Sequence, residues 1–254
     1  MKKLVLFVLI CGSIGGCSSG PKTYEGEYKN GKYHGQGTAT WSDSKKFTGQ
    51  WKDGEPYNGT MTYKDGTKYT GQFYKIGDTG PAGGHVFYDK GEHSNGWRWM
   101  EAGPKETEFR GAKWSGYQYT SNGWIRMIEV RTTSKEIGSG KNNTANIVTA
   151  LQEYEKGFAA QRCAELNFGG YKDWFLPSEG ELKLMYRNLR LNRIGFFGNG
   201  WYWSSSEYYK YTSGSVHPDG HEALGWDFSG KYNLNKYDYP KAVEYMITRP
   251  ARQF

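Results

Sequence analysis

Tyr24-Glu25-Gly26-Glu27-Tyr28, Phe47-Thr48-Gly49-Gln50-Trp51 and Tyr69-Thr70-Gly71-Gln72-Phe73 are three copies of one pattern, spaced by 23 and 22 residues. Self-similarity at such a period marks stacked supersecondary units. Within each copy ring, glycine and ring fall at i, i+2 and i+4, on one face of a strand. A side chain at the glycine would separate the rings; its absence lets the next unit's ring close over the backbone. Asn30-Gly31 and Asp53-Gly54 supply the positive φ angles of tight hairpin turns. The first copy runs on through His34-Gly35-Gln36-Gly37-Thr38 to Trp41, the second through Gly59-Thr60-Met61-Thr62 to Tyr63.

These residues resemble the MORN (membrane occupation and recognition nexus) repeat: aromatic-x-Gly-x-aromatic, then Gly, His-Gly-x-Gly and a closing Asp-Gly. The first copy lacks a clean Asp-Gly at Asp43-Ser44, and the second has Tyr57-Asn58 for His-Gly and inserts Pro56. The resemblance implies a curved antiparallel sheet over 24–74. Such arrays are linked to lipid-surface contact and protein association; the alternative is a spacer that lifts the next domain off a membrane. A short array is marginal alone.

Outward toward the amino terminus, Lys2 and Lys3 precede the apolar run Leu4 to Ile10 and a small-residue stretch ending at Gly16. That run is too short to cross the hydrocarbon of a bilayer and fits a secretory leader. Ile14-Gly15-Gly16-Cys17 resembles the lipobox of bacterial lipoproteins, which implies cleavage after residue 16, acylation of Cys17 and a lipidated linker over 17–23. More than one acyl chain gives stable anchoring. Ser18 after the cysteine leans toward the outer membrane. Of the three cysteines, Cys11 leaves with the leader and Cys17 carries lipid. Cys163 is then alone, without a disulfide partner in an oxidising compartment. Its setting, Ala159-Ala160-Gln161-Arg162-Cys163-Ala164, reads as a helix with a buried, inert thiol, against a reactive one in an electropositive site.

Composition agrees with a folded, strand-rich protein. Mean hydropathy is −0.83, yet 17% of the residues are aromatic, and disordered chains are poor in aromatics. Loss of Lys2 and Lys3 lowers the formal net charge from +7 to +5, too little to argue for nucleic acid.

From Ile76-Gly77-Asp78-Thr79-Gly80-Pro81-Ala82-Gly83-Gly84 onward the pattern changes. Val86-Phe87-Tyr88 and Gly96-Trp97-Arg98-Trp99-Met100-Glu101 read as strands. Ile147, Leu151, Tyr154 and Phe158 recur at helical spacing within 143–167, where Gly157 breaks the run into two helices. Ser178-Glu179-Gly180-Glu181 is a capping box, and Leu182, Met185, Tyr186 and Leu189 form the buried stripe of the helix it starts. Residues 201–207, 223–228 and 243–249 are further strands.

Four segments resemble the carboxy-terminal domain of bacterial collagen-like adhesins. They are Gly80-Pro81-Ala82-Gly83-Gly84; Asp173-Trp174-Phe175-Leu176-Pro177-Ser178 with Glu181-Leu182; Tyr202-Trp203-Ser204-Ser205-Ser206-Glu207; and Arg249-Pro250-Ala251-Arg252. Ile137 to Thr144 is similar to a further segment, and His85 departs from the family's aliphatic residue. That family is similar to C-type-lectin-like domains and the formylglycine-generating-enzyme fold. The resemblance implies a compact α+β domain over 75–254 in which first and last strands pair, two helices flank the sheet and long loops cover one face.

The candidate chemistry is sparse. Gly138-Ser139-Gly140-Lys141 fails as a phosphate loop, because Lys135 and Asn142 stand where glycine and Ser or Thr are needed; no nucleotide is expected. The paired late cysteines of formylglycine-generating enzymes and the calcium loop of lectins are missing, so neither catalysis nor a cofactor is expected. His217-Pro218-Asp219-Gly220-His221-Glu222 has metal ligands but also the composition of a solvated loop, and no metal is assigned. Lys183, Arg187 and Arg190 follow i, i+4, i+7 with Arg193 just beyond, a cationic stripe for sulfated or phosphorylated polymers or an ordinary solvated face. Trp201, Trp203, Trp226 and Tyr208-Tyr209 either stack on sugars or fill the core. The expectation is a lipid-anchored envelope protein presenting a non-catalytic recognition domain to anionic polysaccharide or matrix. The alternative is a structural protein that scaffolds envelope proteins.

Overall fold

The computed structural model describes residues 20–119, 121, 125–128, 130, 133–154, 156–209, 221–230, 237–240 and 245–254. The chain divides into two compact units, residues 1–74 with 90–96, and residues 75–89 with 97–254. Both helices and strands are present, and the amino-terminal strands form antiparallel hairpins.

The first unit is a meander of β1 (Thr23–Lys29), β2 (Lys32–Thr40), β3 (Lys46–Lys52), β4 (Glu55–Thr62) and β5 (Lys68–Gln72), paired in sequence order. Asn30 and Gly31 (φ 52° and 74°) and Asp53 and Gly54 (54° and 96°) make the two tightest turns, as the right-handed twist of paired strands requires. The three quoted pentapeptides superpose in register, so Gly26, Gly37, Gly49, Gly59 and Gly71 form one row across all five strands. A Cβ on Gly49 would lie 2.4 Å from the Asn58 carbonyl oxygen, and one on Gly59 2.4 Å from that of Thr48. The bare row is covered by rings. Tyr24–Tyr28, Phe47–Trp51 and Tyr69–Phe73 each meet edge-to-face at 5.2 Å, and so do Tyr24–Trp51 and Phe47–Phe73 between successive copies. Such pairs add to simple area burial. The Trp51 indole donates to the Gly37 carbonyl at 3.2 Å, the close approach that glycine permits. The opposite face is polar, with Thr38–Thr48 and Thr60–Thr70 hydroxyl pairs at 3.2 and 2.8 Å.

A hairpin of β6 (His85–Ser94) and β7 (Trp97–Ala102) turns at Asn95 and Gly96, both at positive φ. Its tip, 90–96, belongs to the first unit. There Tyr63 Oη accepts the His93 N–H at 3.0 Å and Tyr69 stacks on the His93 ring at 5.1 Å.

The larger unit continues through β8 (Phe109–Arg110), β9 (Tyr117–Tyr119), β10 (Ile125–Met127), α1 (Gly140–Leu151), α2 (Ala159–Ala164) and α3 (Glu179–Met185). It ends with β11 (Trp201–Tyr209), β12 (His221–Asp227), β13 (Tyr237–Pro240), β14 (Ile247–Thr248) and β15 (Ala251–Gln253). One sheet has the order β13-β12-β11-β14-β8 and another β15-β7-β6. The last strand therefore pairs with β7, the second strand of the unit, and not with the first as the adhesin resemblance implied. Gly157, at φ 96°, separates α1 from α2. Phe87, Met100, Phe175, Met185, Tyr202 and Ile247 build one core cluster; Trp114, Ile147, Phe158, Cys163 and Trp203 anchor a second.

Candidate functional site

The capping box forms as its residues dictate. Ser178 Oγ accepts the Glu181 N–H at 3.3 Å, and Glu181 Oε2 accepts the Ser178 N–H at 2.7 Å. Leu182, Met185, Tyr186 and Leu189 are buried below. The α-helix stops at Met185, however, and Tyr186–Arg190 is a π-turn in which the Leu191 N–H reaches back to the Tyr186 carbonyl. A wider turn breaks the i, i+4, i+7 alignment of Lys183, Arg187 and Arg190. Lys183 pairs with Glu179 at 2.8 Å and lies 5.0 Å over the Trp226 ring. Arg190 donates to the Phe228 carbonyl at 2.9 Å and to Asn199 Oδ1 at 2.7 Å. Arg187 and Arg193 are exposed, with no guanidinium partner among the described residues. Beside them in the chain, Leu191 is 60% and Phe196 80% exposed, and Arg193 and Phe196 both hold positive φ, 60° and 49°. Left-handed backbone at non-glycine residues clusters at functional segments, and single π-turns do likewise.

The four quoted segments of the larger unit meet one another through buried polar and charged groups. Glu101, fully buried, accepts the N–H groups of Ala82 and Gly84 at 3.2 and 3.1 Å and an Arg252 donor at 2.8 Å. Arg252 also reaches Asp173 at 2.9 Å. A Cβ on Gly84 would sit 2.0 Å from the Ala102 carbonyl oxygen, so the glycine-rich turn is shaped to wrap that carboxylate. Burial holds Glu101 above the ordinary carboxylate range despite these donors. Arg249, buried, donates to Gly103, Gly195 and Glu108 and stacks 4.3 Å over Phe197. Burial works to raise Glu108, but hydrogen bonds from Lys105 and Tyr202 and the Arg249 charge outweigh it and hold it low. Glu179 N–H to Ser206 Oγ and Ser205 N–H to the Pro177 carbonyl join the remaining two segments.

The loop that imitates a phosphate binder has its amides filled from within. Glu181 Oε1 accepts the Gly138 and Gly140 N–H groups at 2.8 and 3.2 Å. Burial lifts this carboxyl to about 7, against the pull of its backbone donors.

Cys17 and residues 217–220 lie outside the described residues, as do the side chains of Tyr208, Tyr209 and His221. Glu222 is half-buried on β12. Among the described residues no cluster of three or more His, Cys, Asp or Glu could hold a metal ion. No helix there is long and apolar enough to cross a membrane. Cys163 is fully buried, and burial pushes its thiol up. Trp203 and Trp226 are core residues; Trp201 is half-buried.

Sequence reasoning missed a groove of about 360 Å³ in the first unit. The pairing of β1 with β2 slips between Gly26 and Glu27, so that Glu27 faces His34 and two extra residues bulge from β2. Glu27, His34, Gln36, Gln50, Lys52 and Tyr57 line the opening, with Trp51 among them. The one signal in the sequence was the glycine at position 35; the structure holds it at φ 61°, and a Cβ there would lie 2.6 Å from the Glu27 carboxylate, at the bulge.

Compared with known families, residues 24–46 and 47–56 match the MORN repeat. The amino-terminal hairpins are MORN repeats, and the third pentapeptide continues their geometry beyond the matched residues. No curated protein matches the chain.

Proposed function

We propose that the chain is a lipid-anchored protein of the bacterial cell envelope whose larger, lectin-like unit recognises anionic polysaccharide without catalysis. Acylation at Cys17, with the outer membrane as its site, follows from the leader reading. The observation that carries the recognition is the segment 187–196. It holds Arg187 and Arg193 exposed, with no guanidinium partner among the described residues, Arg193 on backbone at positive φ, as is Phe196. Charge-assisted hydrogen bonds to sulfate or carboxylate groups are the strong kind, and a cationic edge steers polyanions to it. Lys183 and Arg190, tied to Glu179 and Phe228, set the segment's position and contribute less to binding.

The test is retention of the full chain on heparin-agarose against an Arg187→Ala/Arg193→Ala variant. The variant is expected to elute at clearly lower salt; co-elution of the two removes the proposal. The exposed Phe196 and Leu191 favour a second reading, docking of another envelope protein. Crosslinking in intact cells to one fixed protein neighbour, lost in Phe196→Ser, together with no heparin retention, would establish it instead.

A further inference from the structure

The groove of the repeat unit carries a separate inference. Its one carboxylate, Glu27, and one ammonium, Lys52, leave the lining without net charge, since neither outweighs the other. A free anion gains at Lys52 what it loses at Glu27, and a free cation the reverse, so the lining favours neither sign. Glu27 Oε1 is engaged by the Gln36 N–H at 3.1 Å, which leaves Oε2 as an acceptor. Gln36 and Gln50 stand directly opposite each other across β2 and β3, and each brings an amide donor pair and a carbonyl acceptor. Buried His34 Nδ1 has no hydrogen-bond partner. Buried polar atoms are nearly always paired, and leaving one unpaired costs free energy that a bound partner returns. A hydroxyl both donates and accepts, so it pairs that nitrogen in either tautomer. Trp51 is buried at the groove, while the Tyr57 ring is 39% exposed with Lys52 Nζ 5.3 Å above it. The ring offers a flat apolar surface once that flexible ammonium swings aside.

We propose that this groove binds an uncharged saccharide. Closely spaced hydroxyls meet the alternating donors and acceptors of Glu27, His34, Gln36 and Gln50, and the C–H face of a sugar ring lies on Tyr57. The volume falls in the range of small-molecule sites. Two register shifts shape the site, one in β1–β2 at Gly26/Glu27 that bulges Gly35 and Gln36 and one in β3–β4 at Gln50/Trp51, and bulges recur beside binding sites.

The full chain, labelled with ¹⁵N, is titrated separately with chitobiose, cellobiose, maltose, sodium phosphate and choline chloride. Expected are saturable shifts of the Gln36 and Gln50 side-chain amides and the Trp51 indole N–H with at least one disaccharide, and none with phosphate or choline. Gln50→Ala, an exposed position, is expected to bind about tenfold more weakly, the effect of one lost ligand hydrogen bond. Thr70→Ala, on the same sheet face two strands away, is expected to bind as the parent does. Silence with all three disaccharides, stronger shifts with phosphate or choline, or undiminished binding by Gln50→Ala would each overturn the proposal. None of those outcomes bears on the heparin test, which reads the other unit.

Discussion

The MORN unit and the larger unit reach stability by different routes from the same aromatic-rich, aliphatic-poor composition. In the first, every strand pairs with its neighbour in sequence, and the apolar layer is rings laid on a row of glycines. Its pairings are local, close short loops and therefore form readily. In the second, β15 returns to β7 and β14 lies between β11 and β8, and buried charged groups link residues far apart in the chain. Arg252 meets Glu101 across 151 positions and Arg249 meets Glu108 across 141. One unit is sensitive to what is added at glycine, the other to what is removed from a charge pair.

The sharpest break of that contrast is Arg249→Met. It leaves Glu108 buried without its guanidinium and frees the carbonyls of Gly103 and Gly195. Removing one partner of a buried pair costs about 3–5 kcal/mol, a large part of the stability of a typical domain. Urea denaturation followed by near-ultraviolet circular dichroism should show the larger unit failing first while the Trp51 indole stays protected from exchange. Arg249→Met/Glu108→Gln should recover much of the loss. A cost below about 1 kcal/mol for the single variant would mean that the pair is not a lock.

The same contrast governs what could be read from the chain beforehand. Repeats announce themselves because ring, glycine and ring recur at fixed spacing, and Asn30-Gly31 and Asp53-Gly54 name their own turns. Asn95-Gly96 carries the same turn chemistry and was passed over, because the strand residues around Trp97 and Trp99 dominated the reading. The Ser178–Glu181 box was legible as a local pair. That Glu181 also gathers Gly138 and Gly140 was not, because the contact spans more than forty positions. The basic stripe was drawn on an uninterrupted α-helix, and the π-turn after Met185 leaves Arg187 and Arg193 with no guanidinium partner among the described residues. The groove escaped because it arises from slips in strand pairing, and a slip has no period.

A second, smaller test asks whether burial or hydrogen bonding governs Glu181. Its carboxyl titrates at about 7 in the fold against 4.5 when unfolded. The folded chain thus binds the proton more tightly, so its stabilising contribution is full below about 4.5 and is lost as pH rises through about 7. Glu101, also raised by burial, adds in the same direction. Between pH 5 and 8 the larger unit should lose on the order of 2 kcal/mol, measured by urea denaturation at each pH. In Glu181→Gln most of that slope should vanish. A wild-type profile rising with pH over this window would show that the three backbone donors outweigh burial.

The smallest effect is expected in the repeat unit and separates its two faces. A methyl on Gly59 would lie 2.4 Å from the Thr48 carbonyl oxygen and 2.7 Å from the Gly49 Cα, both backbone atoms that cannot turn aside. Overpacking of that kind costs about 1–3 kcal/mol, and the lower chain entropy of alanine in the unfolded state returns about 0.5–1. Gly59→Ala should therefore destabilise the sheet by about 1–2 kcal/mol, seen as faster hydrogen exchange at the Trp51 indole and the β3–β4 amides. Thr60→Ala, one residue along on the polar face, removes only a hydroxyl pair with Thr70 and should cost at most about 1 kcal/mol. If the two substitutions prove equal, the glycine row is a by-product of strand spacing and the rings above Gly37 and Gly49 owe their positions to one another alone.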